Sequence, residues 1–315
     1  MNQEPIFLSP VFQERIWGGS ALREVFHYDI QSPKTGECWS ISAHPNGPSV
    51  VANGLYKGKT LQQLWEEERH LFGNHDSEKF PLLTKILDAN DDLSVQVHPN
   101  DEYANEHENG EYGKTECWYI IDCDQDAELI FGHNARSKEQ LHEMIESGNW
   151  DAFLRRVRIQ PGDFFYVPSG TVHALGKGTL VLETQQSSDT TYRVYDYDRM
   201  ENGSKRELHL EKAMDVITVP FDDIKLTPVK KVQEETVLTY FVENEFFTVA
   251  KWEVNGRGVF TQNQKFMLFS VIQGEGIFEK EGAHYSIQKG SHFILPYKFG
   301  EFSLEGNMEV IVSHL

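Results

Sequence analysis

Short runs of Val, Ile, Leu, Phe, Tyr and Trp recur along most of the chain, each closed by Gly, Pro, Asn or Asp. Residues 93–97, 117–121, 164–167, 180–185, 248–254 and 265–272 are such runs. Branched and aromatic side chains fit a pleated surface, and the punctuating residues reverse the backbone, so each run predicts a strand between turns. Many short strands at this spacing predict an antiparallel sandwich or barrel. Three stretches carry helical periodicity instead. Residues 60–71 put Leu61, Leu64, Trp65 and Leu71 on one face. Residues 137–157 start at Ser137 as N-cap, with Gln140 at the capping-box position and Leu141, Met144, Ile145, Phe153 and Leu154 as the buried stripe. Residues 210–217 are compatible with a short helix or with a loop containing one helical turn. Around 220–236 the character changes, with Pro220, Pro228 and the Lys230–Lys231 pair among polar residues, which predicts a linker.

Charge and cysteine usage remove several classes of function. The 315 residues hold 29 Lys+Arg against 49 Asp+Glu, a net charge of −20, which argues against a nucleic-acid or anionic-membrane surface. Mean hydropathy is −0.50 and no uncharged apolar run reaches membrane-spanning length, so a soluble chain is expected. The opening MNQEPIFLSPVF has neither the basic start nor the apolar stretch of a secretory signal. Three cysteines, Cys38, Cys117 and Cys123, form no CxxC spacing and suit a reducing cytoplasm better than a disulfide framework.

The chemistry is concentrated in four segments. In LSVQVHP (93–99), strand alternation projects Gln96 and His98 side by side, an amide oxygen beside an imidazole. In GKTECW (113–118), Lys114 and Glu116 share a face. A Lys and a Glu at this spacing usually decorate a solvated face, but the apolar strand that follows sends these two toward a barrel mouth. The segment PGDFFYVPSGTVHA (161–174) reads as turn, strand, turn, and then His173 returned to the interior. Finally ETQQSSDTTYRVYDYDR (183–199) interleaves Glu183, Asp189 and Arg193 with aromatics. An ordinary ion pair with Asp196 or Asp198 is the competing reading of Arg193. Gln96, His98, Glu116 and His173 together supply oxygen and nitrogen donors with one carboxylate, a set suited to Zn²⁺; two imidazoles and a carboxylate also fit non-haem Fe²⁺, a reading that the Gln dilutes.

PGDFFYVPSGTVHA resembles the second metal-binding motif of cupins. LSVQVHP, GKTECW and TTYRVYDYDR, with RIWGG (15–19) and GECWSISAHPNGPS (36–49), resemble type I mannose-6-phosphate isomerases in their short bacterial form, from about residue 5 to the end. The resemblance implies a mainly β fold of two cupin-type jelly-roll barrels. A metal-binding domain would span 1–234, with helical insertions at about 55–90 and 137–157. A smaller domain without metal ligands would span 235–315. It implies one Zn²⁺ per chain on Gln96, His98, Glu116 and His173, and catalytic roles for Arg193, Lys114 and Glu183. Ser94, Lys114, Arg193, Trp17 and Asp189 would contact a sugar phosphate, with Ser94 at the phosphate. The implied activity is aldose–ketose isomerisation of mannose 6-phosphate and fructose 6-phosphate through an enediol, in a cytoplasmic monomer or weak homo-oligomer with no nucleic-acid or membrane partner. An Fe²⁺-dependent cupin dioxygenase and a non-catalytic sugar-phosphate-binding cupin are the alternatives. Leu175 stands where some members carry Tyr, and the interval between Glu116 and His173 is shorter than in long-chain members.

Overall fold

The β-rich runs pair into three large antiparallel sheets in the computed structural model, which describes residues 4–201, 203–263 and 265–315. The first sheet has six strands, ordered Phe164–Val167, Glu116–Cys123, Thr179–Gln186, Leu82–Ala89, Thr35–Ile41 and Val11–Gly19. The second has five, ordered Tyr192–Tyr195, Val95–Val97, His173–Leu175, Glu128–His133 and Leu154–Arg158. The third has nine strands and takes in the C-terminal third of the chain together with Ile6–Ser9 and Val50–Val51.

Both faces of the six-stranded sheet are covered. Leu87, Trp118 and Val181 pack with Leu129 and Phe131 of the five-stranded sheet. Leu82, Cys117, Tyr119 and Leu182, on the other face, pack with Leu268, Ile294 and Ile311 of the nine-stranded sheet and with Leu61, Trp65 and Phe72. Burial on two sides removes the polar/apolar alternation of an ordinary antiparallel strand, and Leu82–Ala89 is buried at all eight positions. The expected helical insertion at 55–90 is therefore confined to helix Leu61–Glu67 and the 3₁₀ turn Arg69–Phe72. The helix is closed by a full capping box, in which Thr60 accepts from the Gln63 amide at 3.1 Å and Gln63 accepts from the Thr60 amide at 2.9 Å.

The single helix expected over 137–157 is also divided. Gly148, at φ +65°, ends the helix Lys138–Glu146, and Asn149 caps a second short helix, Trp150–Phe153. Leu154–Arg158 then enters the five-stranded sheet as an edge strand. Gln140 reaches the Arg136 amide rather than that of Ser137, so the box expected there is only half formed. Residues 210–217 do form a helix, Leu210–Val216. Within 220–236, Val229–Gln233 is a strand that pairs with Thr236–Glu243. The helices cover the outer face of the five-stranded sheet, where Leu141, Ile145 and Ala213 meet Val95, Val97 and Ala174. With Val95 and Val97 committed outward, pleat alternation turns Gln96 inward, toward the six-stranded sheet.

Candidate metal centre and substrate cleft

Strand register brings the site together. On the five-stranded sheet, Gln96 is paired on one side with His173 and on the other with Arg193, so these three side chains form one row. Facing them, the six-stranded sheet aligns Trp118, Glu183, Lys85 and Trp39 across four strands, with Glu116 beside Gln185 one step along. The two rows line the space between the sheets.

His98, Glu116 and His173 converge in that space, all three buried, with ligand atoms within 4.8 Å of one another. The Nε2 of His98 lies 3.5 Å from Glu116 Oε2, and the Nε2 of His173 lies 3.3 Å from Glu116 Oε1. Two ligands each about 2.0–2.1 Å from one tetrahedral ion stand about 3.4 Å apart, so these spacings suit a shared cation. Each imidazole sets its Nδ1 against a backbone carbonyl, of Thr190 at 2.9 Å for His98 and of Thr171 at 2.8 Å for His173. Donation from Nδ1–H to those carbonyls leaves the Nε2 lone pairs for a metal. Burial keeps both rings neutral, pulling His98 well below the ordinary imidazole value and His173 down to about 4. Both Glu116 oxygens and His173 Nε2 are buried without a hydrogen bond. Buried orphan acceptors of this kind are costly unless a ligand satisfies them, so the donor set fits a divalent cation. Gln96 stands in the same row as His173.

Lys114 completes the cluster. Its Nζ is 3.1 Å from Glu116 Oε2, an ion pair rather than an aligned hydrogen bond, and 3.1 Å from His98 Nε2. Burial opposes its charge, but Glu116, Glu183 and Asp189 outweigh that and hold its pKa above the ordinary lysine value. Glu183 accepts from Trp118 Nε1 at 3.0 Å and lies 3.7 Å from Lys85 Nζ. Burial and the neighbouring Glu116 push its carboxyl upward, against the pull of Lys114 and Lys85.

Above the cluster opens a cleft of about 220 Å³. Trp17, Ser94, Gln96, Lys114, Glu183, Asp189 and Arg193, all singled out in the sequence, line it, while His98, Glu116 and His173 lie beyond its lining. Asp189 is exposed and accepts from Asn46 at 3.2 Å. Arg15, Glu37, Lys85 and Arg206 also line the cleft and were not anticipated. Lys85 had a signal, a single cation in the apolar run FPLLTKILDA. Arg15 and Glu37 lay inside RIWGG and GECWS and now form a two-pronged pair, at 2.8 and 3.1 Å. The ion pair weighed for Arg193 does not form: Asp196 is taken by Arg199 and Arg206, and Asp198 by Lys205. Cations outnumber carboxylates along the cleft wall, and the Debye length of about 8 Å at physiological salt screens more distant surface acids, so the local charge of the cleft is positive despite the net charge of −20.

The residues from 237 to 315 match the mannose-6-phosphate isomerase cupin domain, which defines the class as a cupin protein, and residues 6–123 match the phosphomannose isomerase type I catalytic domain. The chain is 60% identical to mannose-6-phosphate isomerase ManA of Bacillus subtilis over the whole of both chains, and 53% identical to the mannose-6-phosphate isomerase of Streptococcus mutans over 99% of this chain and 98% of that one. A crystal structure of the mannose 6-phosphate isomerase from Bacillus subtilis superposes with a TM-score of 0.98 at 56% identity, covering 99% of this chain and 100% of that one. The chain belongs to the type I mannose-6-phosphate isomerase family, as the resemblance in its motifs implied.

Proposed function

We propose that the protein interconverts mannose 6-phosphate and fructose 6-phosphate, with one Zn²⁺ held by His98, Glu116, His173 and Gln96. The observation that carries this reading is a set of buried, unsatisfied metal-ligating atoms beside a cationic cleft that also holds a carboxyl of raised pKa. When bound, the ion supplies an electrophile that polarises the sugar oxygens and stabilises negative charge developing on them.

The chain's own groups do the rest. Glu183, buried and with its proton affinity raised, is suited to take a proton from C2 of the aldose and return it to C1. Lys114 stays protonated and donates to the oxygen on which charge accumulates. Trp118 fixes one oxygen of Glu183 through its indole N–H, and Lys85 borders the other. Ser94 donates a hydrogen bond toward the phosphate, Arg193 attracts the dianion, and Trp17 and Asp189 flank the sugar. Residues 235–315 read as a smaller jelly-roll unit that contributes no metal ligand. The absence of disulfides among Cys38, Cys117 and Cys123 supports a cytoplasmic setting.

A coupled assay following fructose 6-phosphate from mannose 6-phosphate, with and without chelator, tests the proposal. Turnover that chelator abolishes and zinc restores is expected. Oxygen consumption with anaerobically bound iron would favour the dioxygenase reading instead.

A further inference from the structure

The charges along the cleft are not evenly matched. Arg15 is paired with Glu37, Lys85 with Glu183 and Lys114 with Glu116. Asp196, by contrast, serves two arginines, and Arg193 meets no carboxylate within 4.0 Å among the described residues. Positive charge is therefore left over at Arg193 and Arg206, which both line the cleft and act on each other electrostatically.

Local structure holds these two side chains together. After the hairpin formed by Met200–Glu201 and Ser204–Lys205, the chain returns alongside Arg193. The Arg193 amide donates to His209 Nδ1 at 3.1 Å, and the His209 amide donates to the Arg193 carbonyl at 2.8 Å. Arg193 Nη1 donates to the Glu207 carbonyl at 2.7 Å, while its Nε is buried with no acceptor. Arg206 approaches Asp196 side-on, donating from Nε to Oδ2 at 2.8 Å and from Nη2 to Oδ1 at 2.5 Å, which leaves Nη1 outside that pair. Asp196 is 4% exposed, and its Oδ1 also accepts from Arg199 Nη2, with Arg199 itself anchored on the Asp92 carbonyl. An orphan N–H on one guanidinium, beside a second guanidinium held rigidly by a saturated carboxylate, is an arrangement that awaits an oxyanion.

We propose that Arg206 is a second phosphate-gripping residue, acting with Arg193, and that Asp196 is a positioning residue that aims it. This rests on the sugar-phosphate reading above and selects a phosphorylated sugar over a free one. Arg206 touches the phosphate and leaves the reacting carbons alone, so it contributes binding shared by substrate and transition state.

The test uses the full chain, with inorganic phosphate as calorimetric probe and mannose 6-phosphate as substrate. Arg206→Gln should weaken phosphate binding and raise KM roughly 10- to 100-fold, the range for losing a charge-assisted hydrogen bond, with kcat nearly unchanged. Arg206→Lys, which keeps the charge and loses the fork, should fall between. Asp196→Asn separates aim from charge. Removing a negative charge from this cluster would by Coulomb's law tighten phosphate binding, whereas loss of aim weakens it, and weakening is expected. Tighter binding in Asp196→Asn would overturn the positioning role. Unchanged phosphate binding in Arg206→Gln, or a loss confined to kcat, would overturn the role of Arg206. Should Asp196→Asn fail to fold, the two Arg206 variants decide. A wild-type protein that binds phosphate through Arg206 without turning over mannose 6-phosphate would overturn the isomerase reading while supporting the phosphate site.

Discussion

Glu183→Gln separates catalysis from scaffolding. Glu183 is 4% exposed and Lys85, 3.7 Å away, is equally buried, so neutralising the carboxylate leaves a buried ammonium with less compensation. Breaking a buried pair in this way typically costs about 3–5 kcal/mol. Two features of the structure reduce that figure. Glu37 also interacts with Lys85 electrostatically, and burial works against the charged form of Glu183, so less is lost on neutralising it. The amide oxygen of Gln can still accept from Trp118 Nε1. A stability loss of about 2 kcal/mol is therefore expected, below the usual range for such pairs. If Glu183 moves the proton, kcat falls by about 10²–10⁴. Lys85→Met combined with Glu183→Gln should recover most of the stability, because a buried ion pair can be replaced by groups of similar shape at little net cost, and it should not recover kcat. Urea unfolding of the four proteins in the cycle, alongside the coupled isomerase assay, reads both quantities. Full turnover in Glu183→Gln would refute proton transfer by this residue, and strictly additive stability losses would refute the coupling with Lys85.

Two further outcomes follow from groups outside the cleft. His292 is buried, hydrogen-bonded at Nε2 to the Tyr28 hydroxyl and at Nδ1 to Ser270, and burial draws its pKa down to about 3. The unfolded chain binds that proton near pH 6.5 while the folded chain does not, so stability contributed by the neutral ring is complete above pH 6.5 and is lost as pH falls toward 3. At pH 5 the loss is about 2 kcal/mol, at 1.36 kcal/mol per unit. Replacing His292 with Phe should flatten this slope in pH-dependent urea titrations, and an unchanged slope would contradict it. Thr60→Ala removes one arm of the capping box and should lower stability by about 1 kcal/mol without altering kcat, measured by thermal unfolding and the same assay.

What could be read from the sequence was what depends on neighbours along the chain. Lys114 beside Glu116 was readable from the i, i+2 spacing, and their charged ends lie 3.1 Å apart in the structure, although the strand itself begins at Glu116. The row Trp118–Glu183–Lys85–Trp39 depends on the register of four strands distant in sequence, which no local pattern encodes. Lys85 was hidden for a second reason: its strand is apolar on both sides, so it lacked the alternation that marks a strand, and it fell within a stretch read as a helical insertion. Asp196 and Arg206 illustrate the same limit. Proximity in sequence left a pairing of Arg193 with Asp196 or Asp198 open, but a hairpin returns Arg206 to Asp196, Lys205 takes Asp198, and Arg193 lines the cleft. The division of 137–157 was visible in Ser147-Gly148-Asn149, a break that the hydrophobic stripe on either side outweighed.

In the proposed mechanism His98, Glu116 and His173 grip one divalent cation on which turnover depends. Elemental analysis of the purified chain, of chelator-treated protein and of His173→Ala, read against isomerase activity in each, tests it most directly. About one zinc per folded chain is expected, with loss of zinc and activity together in the latter two, and recovery on adding zinc to the chelated wild type only. Metal-free protein that turns over mannose 6-phosphate at the full rate would contradict it.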